Sequence, residues 1–552
     1  MVTVLRLLPY FFLSSYALYS LLILDKNYSY FIGFSFELVC LYVIFNFLKF
    51  KWSKVFSVFE VIFLIIIISQ LVFYKFSLTY FSKLALANSE SSKALGLHFD
   101  MFFPLIFLFL LCIPLLFIAV EIKKRILFST VILFIVGGYQ SQKTDDIKGG
   151  IMFPALDFIQ KVVSLEIDRH LNITNFELDG RNFEKQNVYG DIDSSYLNGL
   201  PVNPNVIVFF TEGFSSRWID SYDESNRRDL TPNLDRFFKQ SIVVKNYYNH
   251  TAATFRGIRG QLISGYQKAD ENGDGGVSVI NKKDLDKIYS NKSIITLPEV
   301  LNENSYSTIF ISPHISEMNL NEMLSRQGFS KVLTANDFIP EAQGPLTDFQ
   351  LIDSLIDTSD KIKQPFFIAT YNFGTHMLQD SVSVKYADGS SPVLNRIHEW
   401  DYNIGRFMRW FNSSKLSENT IIIFTTDHAT FPGEEVISVE NVTKNVFVDR
   451  IPLMIYSPRI KHSLLDAHGL NSLSFTPTLL SILGINQVKN SFLGCSVFEY
   501  KCSLPANVTA IGDFEFLTND DGVTYKNDVK DKDLKKFNEM SDLIKDFYKI
   551  SN

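Results

Sequence analysis

The chain has 552 residues, 47% hydrophobic and 20% charged, and its 52 basic and 59 acidic side chains leave a net charge of −7. That apolar content excludes a disordered tail protein, and the negative balance offers no global positive charge to hold a nucleic-acid backbone. Residues 1–140 hold most of the long apolar runs and the remainder reads as a water-soluble α/β protein, which predicts a membrane anchor carrying a large globular head.

Five apolar stretches are predicted to span a membrane: 4–24, 30–48, 55–73, 101–120 and 126–139. Crossing a hydrocarbon core takes about 20 helical residues, so the first four qualify and the short fifth borrows flanking residues. Lys and Arg collect on the cytoplasmic side of such spans. Arg6, then Lys49, Lys51 and Lys54, then Lys123, Lys124 and Arg125 mark that side, which puts the amino terminus inside and residue 145 onward outside. The first span lacks the small-residue cleavage site of a secretory signal. Residues 77–98 read as an amphipathic connection lying along the outer surface.

Residues 141–204 read as a linker with membrane-proximal helical pieces, and 205–552 as the head. Short continuous apolar runs at 206–210 (VIVFF), 308–311 (TIFI), 366–369 (FFIA), 421–424 (IIIF) and 453–455 (LMI) predict strands buried on both faces. Amphipathic segments at 234–240, 296–302, 349–361 and 399–413 predict helices between them. Such alternation implies a mostly parallel central sheet covered by helices. Cys495 and Cys502, the two cysteines of the head, are expected to close a short disulfide loop in an oxidising compartment.

Ligands of an open parallel sheet bind beyond the carboxyl ends of its strands. Glu212 directly follows VIVFF, and Asp427 with His428 directly follows IIIF. Carboxylates in those places, one beside an imidazole, suit a divalent metal such as zinc, with manganese as the alternative. Residues 249–266, NHTAATFRGIRGQLISGY, add two candidate nucleophiles, Thr251 and Thr254. Arg256 and Arg259 share one helical face there and suit anionic oxygens. A threonine hydroxyl is a weak nucleophile unless a neighbouring metal activates it.

The order of VIVFFTEGF, TPNLDRFFKQSIVVKNYYNHTAATFRG, YNFGTHM, NTIIIFTTDHAT and SFTPTLLSILGI resembles the sulfatase/alkaline-phosphatase superfamily. Five amino-terminal spans before such a head look like its membrane transferase branch, the phosphoethanolamine transferases and lipoteichoic acid synthases. The resemblance implies an α/β sulfatase-like head, one divalent ion on Glu212, Thr254, Asp427 and His428, and Thr254 as nucleophile with Thr251 as runner-up. It gives His376 a role in substrate contact or leaving-group protonation, and Arg256 or Arg259 the neutralisation of developing charge.

The implied function is transfer of phosphoethanolamine, or phosphoglycerol, from a phospholipid to lipopolysaccharide or another envelope glycan through a phosphothreonine. The implied setting is the bacterial inner membrane, multi-pass, with the head in the periplasm. A phosphodiester hydrolase of the same fold and an inactive envelope scaffold are the alternatives. The family's sulfatases oxidise a Cys or Ser nucleophile to formylglycine, which neither threonine permits. Ser474 stands where relatives carry Asp, and no histidine closely follows the Asp427–His428 pair. His250, His314 and His398 read as packing or loop histidines, with Ile397, Trp400, Ile404, Met408 and Phe411 forming the core stripe around His398.

Overall fold

The computed structural model describes residues 2–24, 28–77, 110, 113–118, 120–141, 154–171, 183–222, 229–267, 294–316, 319–377, 379–440, 448–502, 507–511 and 514–551. The chain forms two compact units. One comprises Met1–Ser89, Gly96–Ile173 and Pro432–Val446, and the other Glu90–Leu95, Thr174–Phe431 and Phe447–Asn552.

The first unit is helical: Val2–Leu24, Tyr28–Ser77, Lys124–Ser141 and Pro154–Leu171. The second and third predicted spans fall in one uninterrupted run of helical residues, Tyr28–Ser77. The rings of Phe45 and Phe63 nevertheless lie 5.7 Å apart. A straight helix would separate residues so spaced by about 27 Å at 1.5 Å per residue, so the chain doubles back between them. Among the described residues one helical window, Lys54–Leu71, is long and apolar enough to cross a membrane. Most of the fourth predicted span, and the 77–98 connection beyond Ser77, lie outside the described residues.

Buried polar groups pin this bundle. Glu60, fully buried, receives Arg6, Tyr10 and Lys49, and Arg6 also lies over the Tyr10 and Tyr42 rings. Glu37 accepts from the free N–H groups of Ala155 at 3.0 Å and Leu156 at 3.2 Å, capping the start of Pro154–Leu171.

The second unit is built on thirteen strands among its described residues. In chain order these are β1 (Lys185–Asn187), β2 (Asn205–Thr211), β3 (Ile242–Lys245), β4 (Ser307–Ile311), β5 (Lys331–Leu333), β6 (Phe366–Tyr371), β7 (Thr420–Thr426), β8 (Leu453–Tyr456), β9 (Ser463–Asp466), β10 (Gln487–Asn490), β11 (Val508–Ile511), β12 (Phe514–Asn519) and β13 (Gly522–Tyr525). Eight of them form the central sheet in the order β5-β4-β6-β2-β7-β8-β3-β9. The strands β2, β6 and β7 are buried along their whole length, as their unbroken apolar runs require.

The sheet is mixed. The strand at 453–455 exists, but β8 runs antiparallel to both β7 and β3. Adjacent parallel strands require a long crossover, whereas antiparallel neighbours can be joined at one edge of the sheet. The predicted helices appear as Pro232–Phe238, Leu297–Glu303, Asp348–Lys361 and Pro392–Ser413. A smaller antiparallel sheet, β11-β12-β13, packs with the amphipathic helix Asp531–Ser551 through Phe537, Met540, Ile544 and Phe547. Cys495 and Cys502 are disulfide-bonded.

Candidate metal centre

The site follows from the pairing of β2 with its two neighbours. Parallel register sets Thr211 opposite Thr426, so the next residues, Glu212 and Asp427, leave the sheet side by side at its carboxyl edge. On the other flank Phe210 pairs with Tyr371, the last residue of β6, and the loop after it carries His376.

Glu212, Asp427 and His428 each offer a ligand atom, all within 4.8 Å of one another, and all three residues are buried. His428 Nε2 lies 3.3 Å from Glu212 Oε1 and 3.5 Å from Asp427 Oδ2. Its Nδ1 donates to the Ala429 carbonyl at 2.7 Å, which turns Nε2 toward the two carboxylates, where it could ligate a cation once the ring gives up its second proton. Asp427 Oδ1 accepts from the main-chain N–H groups of Gly213 and His428, at 2.9 and 2.7 Å. Asp427 Oδ2 is buried with no hydrogen-bond partner.

Electrostatics mark the same three groups. Burial pushes the Asp427 carboxyl up to about 7, and the Glu212 carboxylate adds to the shift. Burial works against charge on His428, but Asp427 and Glu212 outweigh it and raise the imidazole to about 9. Burial also opposes the charge on Glu212, yet His428, His376 and Tyr371 hold its carboxyl well below the ordinary range. Two enclosed carboxylates at this separation call for a positive charge between them. The orphan Asp427 oxygen, Glu212 Oε1 and His428 Nε2 form a donor set that fits a divalent cation such as zinc.

Thr254 opens the helix Thr254–Ile263, and its Oγ1 donates to Glu212 Oε2 at 2.9 Å. Thr251 sits elsewhere: its Oγ1 is committed to the Ala510 carbonyl of β11 at 2.8 Å. Ala253, just before Thr254, has φ 69° and ψ 143°, a conformation L-residues rarely adopt. The helix reaches the sheet through Gln261 Nε2, which donates to the Thr426 carbonyl at 2.9 Å.

Arg256 and Arg259 are buried, and Arg256 Nε donates to the Ala252 carbonyl at 3.1 Å. His376 donates from Nδ1 to the Met377 carbonyl at 2.9 Å, and its ring lies 4.8 Å from that of Phe373. Phe373 also touches the ring of His314, at 5.0 Å. His314 is buried beside Tyr371, and that burial pushes its imidazole down to about 4. His250 is fully buried and shares a 2.7 Å hydrogen bond with Ser472. His398 donates to the Leu230 carbonyl from its helix.

Tyr371, Asn372 and Thr375 were not anticipated from the sequence. The Tyr371 hydroxyl donates to Glu212 Oε2, Asn372 Oδ1 accepts from the Glu212 N–H at 3.0 Å, and Thr375 Oγ1 donates to the Glu212 carbonyl at 2.7 Å. A second group, Asp466, His468 and Asp520, is exposed and its charges pair with one another in solvent.

The sequence model of the sulfatase family matches residues 204–485, just over half of the chain. The chain belongs to the sulfatase family. Members of the sulfatase/alkaline-phosphatase superfamily are enzymes that use divalent metals, and the ligand group here lies within the matched region. No curated protein matches the chain.

Solved structures are similar to the chain over much of their length. The lipoteichoic acid synthase LtaP from Listeria monocytogenes is 16% identical with a TM-score of 0.50, the match covering 68% of this chain and 98% of that one. A protein of the alkaline phosphatase superfamily from Vibrio parahaemolyticus is 17% identical with a TM-score of 0.49, over 68% and 94% of the two chains. A phosphonate monoester hydrolase of Agrobacterium radiobacter is 12% identical with a TM-score of 0.38, over 63% and 96%.

Proposed function

We propose that the protein is a phosphoryl-group transferase that moves phosphoethanolamine, or phosphoglycerol, from a phospholipid to lipopolysaccharide or another envelope glycan. The observation that carries this reading is the 2.9 Å hydrogen bond from Thr254 Oγ1 to Glu212 Oε2, which seats a hydroxyl against a buried Glu, Asp and His ligand set. Glu212, Asp427 and His428 would hold a divalent cation, which when bound would supply Lewis-acid polarisation of phosphoryl oxygens and lower the pKa of the nearby hydroxyl.

Thr254 Oγ1 attacks phosphorus, and the bond from phosphorus to the diacylglycerol oxygen breaks. The Thr254 proton leaves along its hydrogen bond to Glu212, and His376 delivers a proton to the departing lipid alkoxide. An acceptor hydroxyl then attacks the phosphothreonine and gives its proton to His376, the phosphorus–Oγ1 bond breaks, and Thr254 Oγ1 takes back the proton held by Glu212. The buried guanidinium groups of Arg256 and Arg259 add positive potential around the helix that carries Thr254. A threonine cannot become formylglycine, which favours phosphoryl over sulfuryl chemistry.

The reading places the chain in the bacterial inner membrane with its head in the periplasm. The basic loops at Lys49, Lys51 and Lys54 and at Lys123, Lys124 and Arg125 support that orientation. The Cys495–Cys502 disulfide fits an oxidising compartment. A lipid donor stays in the bilayer, so an anchored head meets it at the surface. Expressing wild type and Thr254→Ala in a host lacking the native protein tests the reading by mass spectrometry of envelope lipids and glycans. The wild type adds one headgroup mass and yields a phosphopeptide containing Thr254, and Thr254→Ala does neither. Full modification by Thr254→Ala would sink the proposal.

A further inference from the structure

Glu212 is held on three sides by the end of β6 and the loop that follows it. Asn372 takes its N–H, Thr375 its carbonyl, and the Tyr371 hydroxyl its side chain. Of these only Tyr371 acts on the carboxylate itself. The ring is 2% exposed at the end of β6, and a buried phenol must place its O–H on an acceptor. The acceptor is Glu212 Oε2, the same oxygen that receives Thr254 Oγ1. The other oxygen, Oε1, faces His428 Nε2. The two carboxylate oxygens thus have separate partners, one in the ligand set and one in the hydroxyl pair.

We propose that Tyr371 is a positioning residue that locks the Glu212 carboxylate in this orientation, reserving Oε1 for the cation and Oε2 for the nucleophilic hydroxyl. Without the phenol the carboxylate is free to turn about its last torsion. Both oxygens then compete for the cation, and Thr254 loses its fixed acceptor. Partners of this kind orient metal ligands, and their removal typically costs 10- to 100-fold in metal affinity or activity. The inference rests on the reading of Glu212 as a metal ligand, and it assigns the division of labour between its oxygens to a residue outside the ligand set.

The test is a zinc titration of the full-length protein in detergent, in competition with a chromophoric chelator, on wild type and Tyr371→Phe. The substitution keeps the ring and removes only the hydroxyl. Zinc binding is expected to weaken about 10-fold or more, while the melting temperature of the metal-free protein stays close to wild type. In the transfer assay kcat is expected to fall with KM for the donor lipid nearly unchanged. A double variant separates positioning from packing: Tyr371→Phe added to Glu212→Gln is expected to weaken zinc binding no further than Glu212→Gln alone. Wild-type zinc affinity in Tyr371→Phe, or additive losses in the double variant, would overturn the inference while leaving the transferase reading intact. A wild-type protein that binds no zinc would overturn both.

Discussion

Gly257 lies so close to the strand edge that a Cβ there would sit 2.2 Å from the carbonyl oxygen of Asp427. The obstacle is main chain, which has no rotamer to escape into, and it belongs to a ligand of the candidate metal centre. Gly257→Ala must therefore push the Thr254 helix off the sheet or displace Asp427. The expected result is a folded protein with transfer reduced about 100-fold, the usual consequence of a misplacement near 1 Å. Zinc titration alongside the activity assay separates the two routes, since displacing Asp427 also weakens the metal.

The two threonines are expected to behave in opposite ways. Thr251→Ala removes the 2.8 Å bond to the Ala510 carbonyl and should cost about 1 kcal/mol of stability while retaining most transfer. Thr254→Ala should leave thermal stability nearly unchanged and abolish transfer. Melting curves and headgroup-transfer assays on the same two variants check both halves.

Ala253→Gly relaxes the positive φ that precedes the helix Thr254–Ile263. Glycine adopts that conformation without a Cβ penalty, so the variant should gain about 1 kcal/mol, seen as a raised melting temperature. A lowered melting temperature would show that the strain argument fails at this position.

The His250 imidazole is pushed down to about 3, chiefly by burial. An unfolded histidine titrates near 6.5. The unfolded chain therefore binds one more proton than the folded chain between these values, and stability falls as pH drops from about 6.5 toward 3. His250→Gln removes that proton uptake. Its stability deficit relative to wild type should be largest near pH 7 and shrink on acidification, as read from denaturant unfolding across that range.

The parts of the head that were legible in its sequence share a physical cause. A strand buried on both faces needs an unbroken apolar run, so β2, β6 and β7 stand out, whereas β4 keeps one face only partly buried, and acids just beyond β2 and β7 are conspicuous by contrast. The direction of β8 was not legible, because LMI reads the same in either sense. The edge strand β9 was missed because SLLD is short and mostly exposed. The choice between Thr251 and Thr254 stayed open in the sequence, since both lie in one short segment and their partners are far along the chain. Tyr371 left no trace for a related reason: its importance comes from the register of β6 against β2, which pairs residues 161 positions apart, Phe210 with Tyr371.

The family match ends at residue 485, but the chain packed around the Thr251–Thr254 segment does not. Ala510 in β11 donates to the His250 carbonyl at 2.9 Å and accepts from Thr251, and the ring of Phe547 fills the space beside Gly265 at the other end of the same segment. The last forty-odd residues act as a buttress behind the Thr254 helix. A truncation that removed them as a dispensable tail would let go of Thr254 from behind.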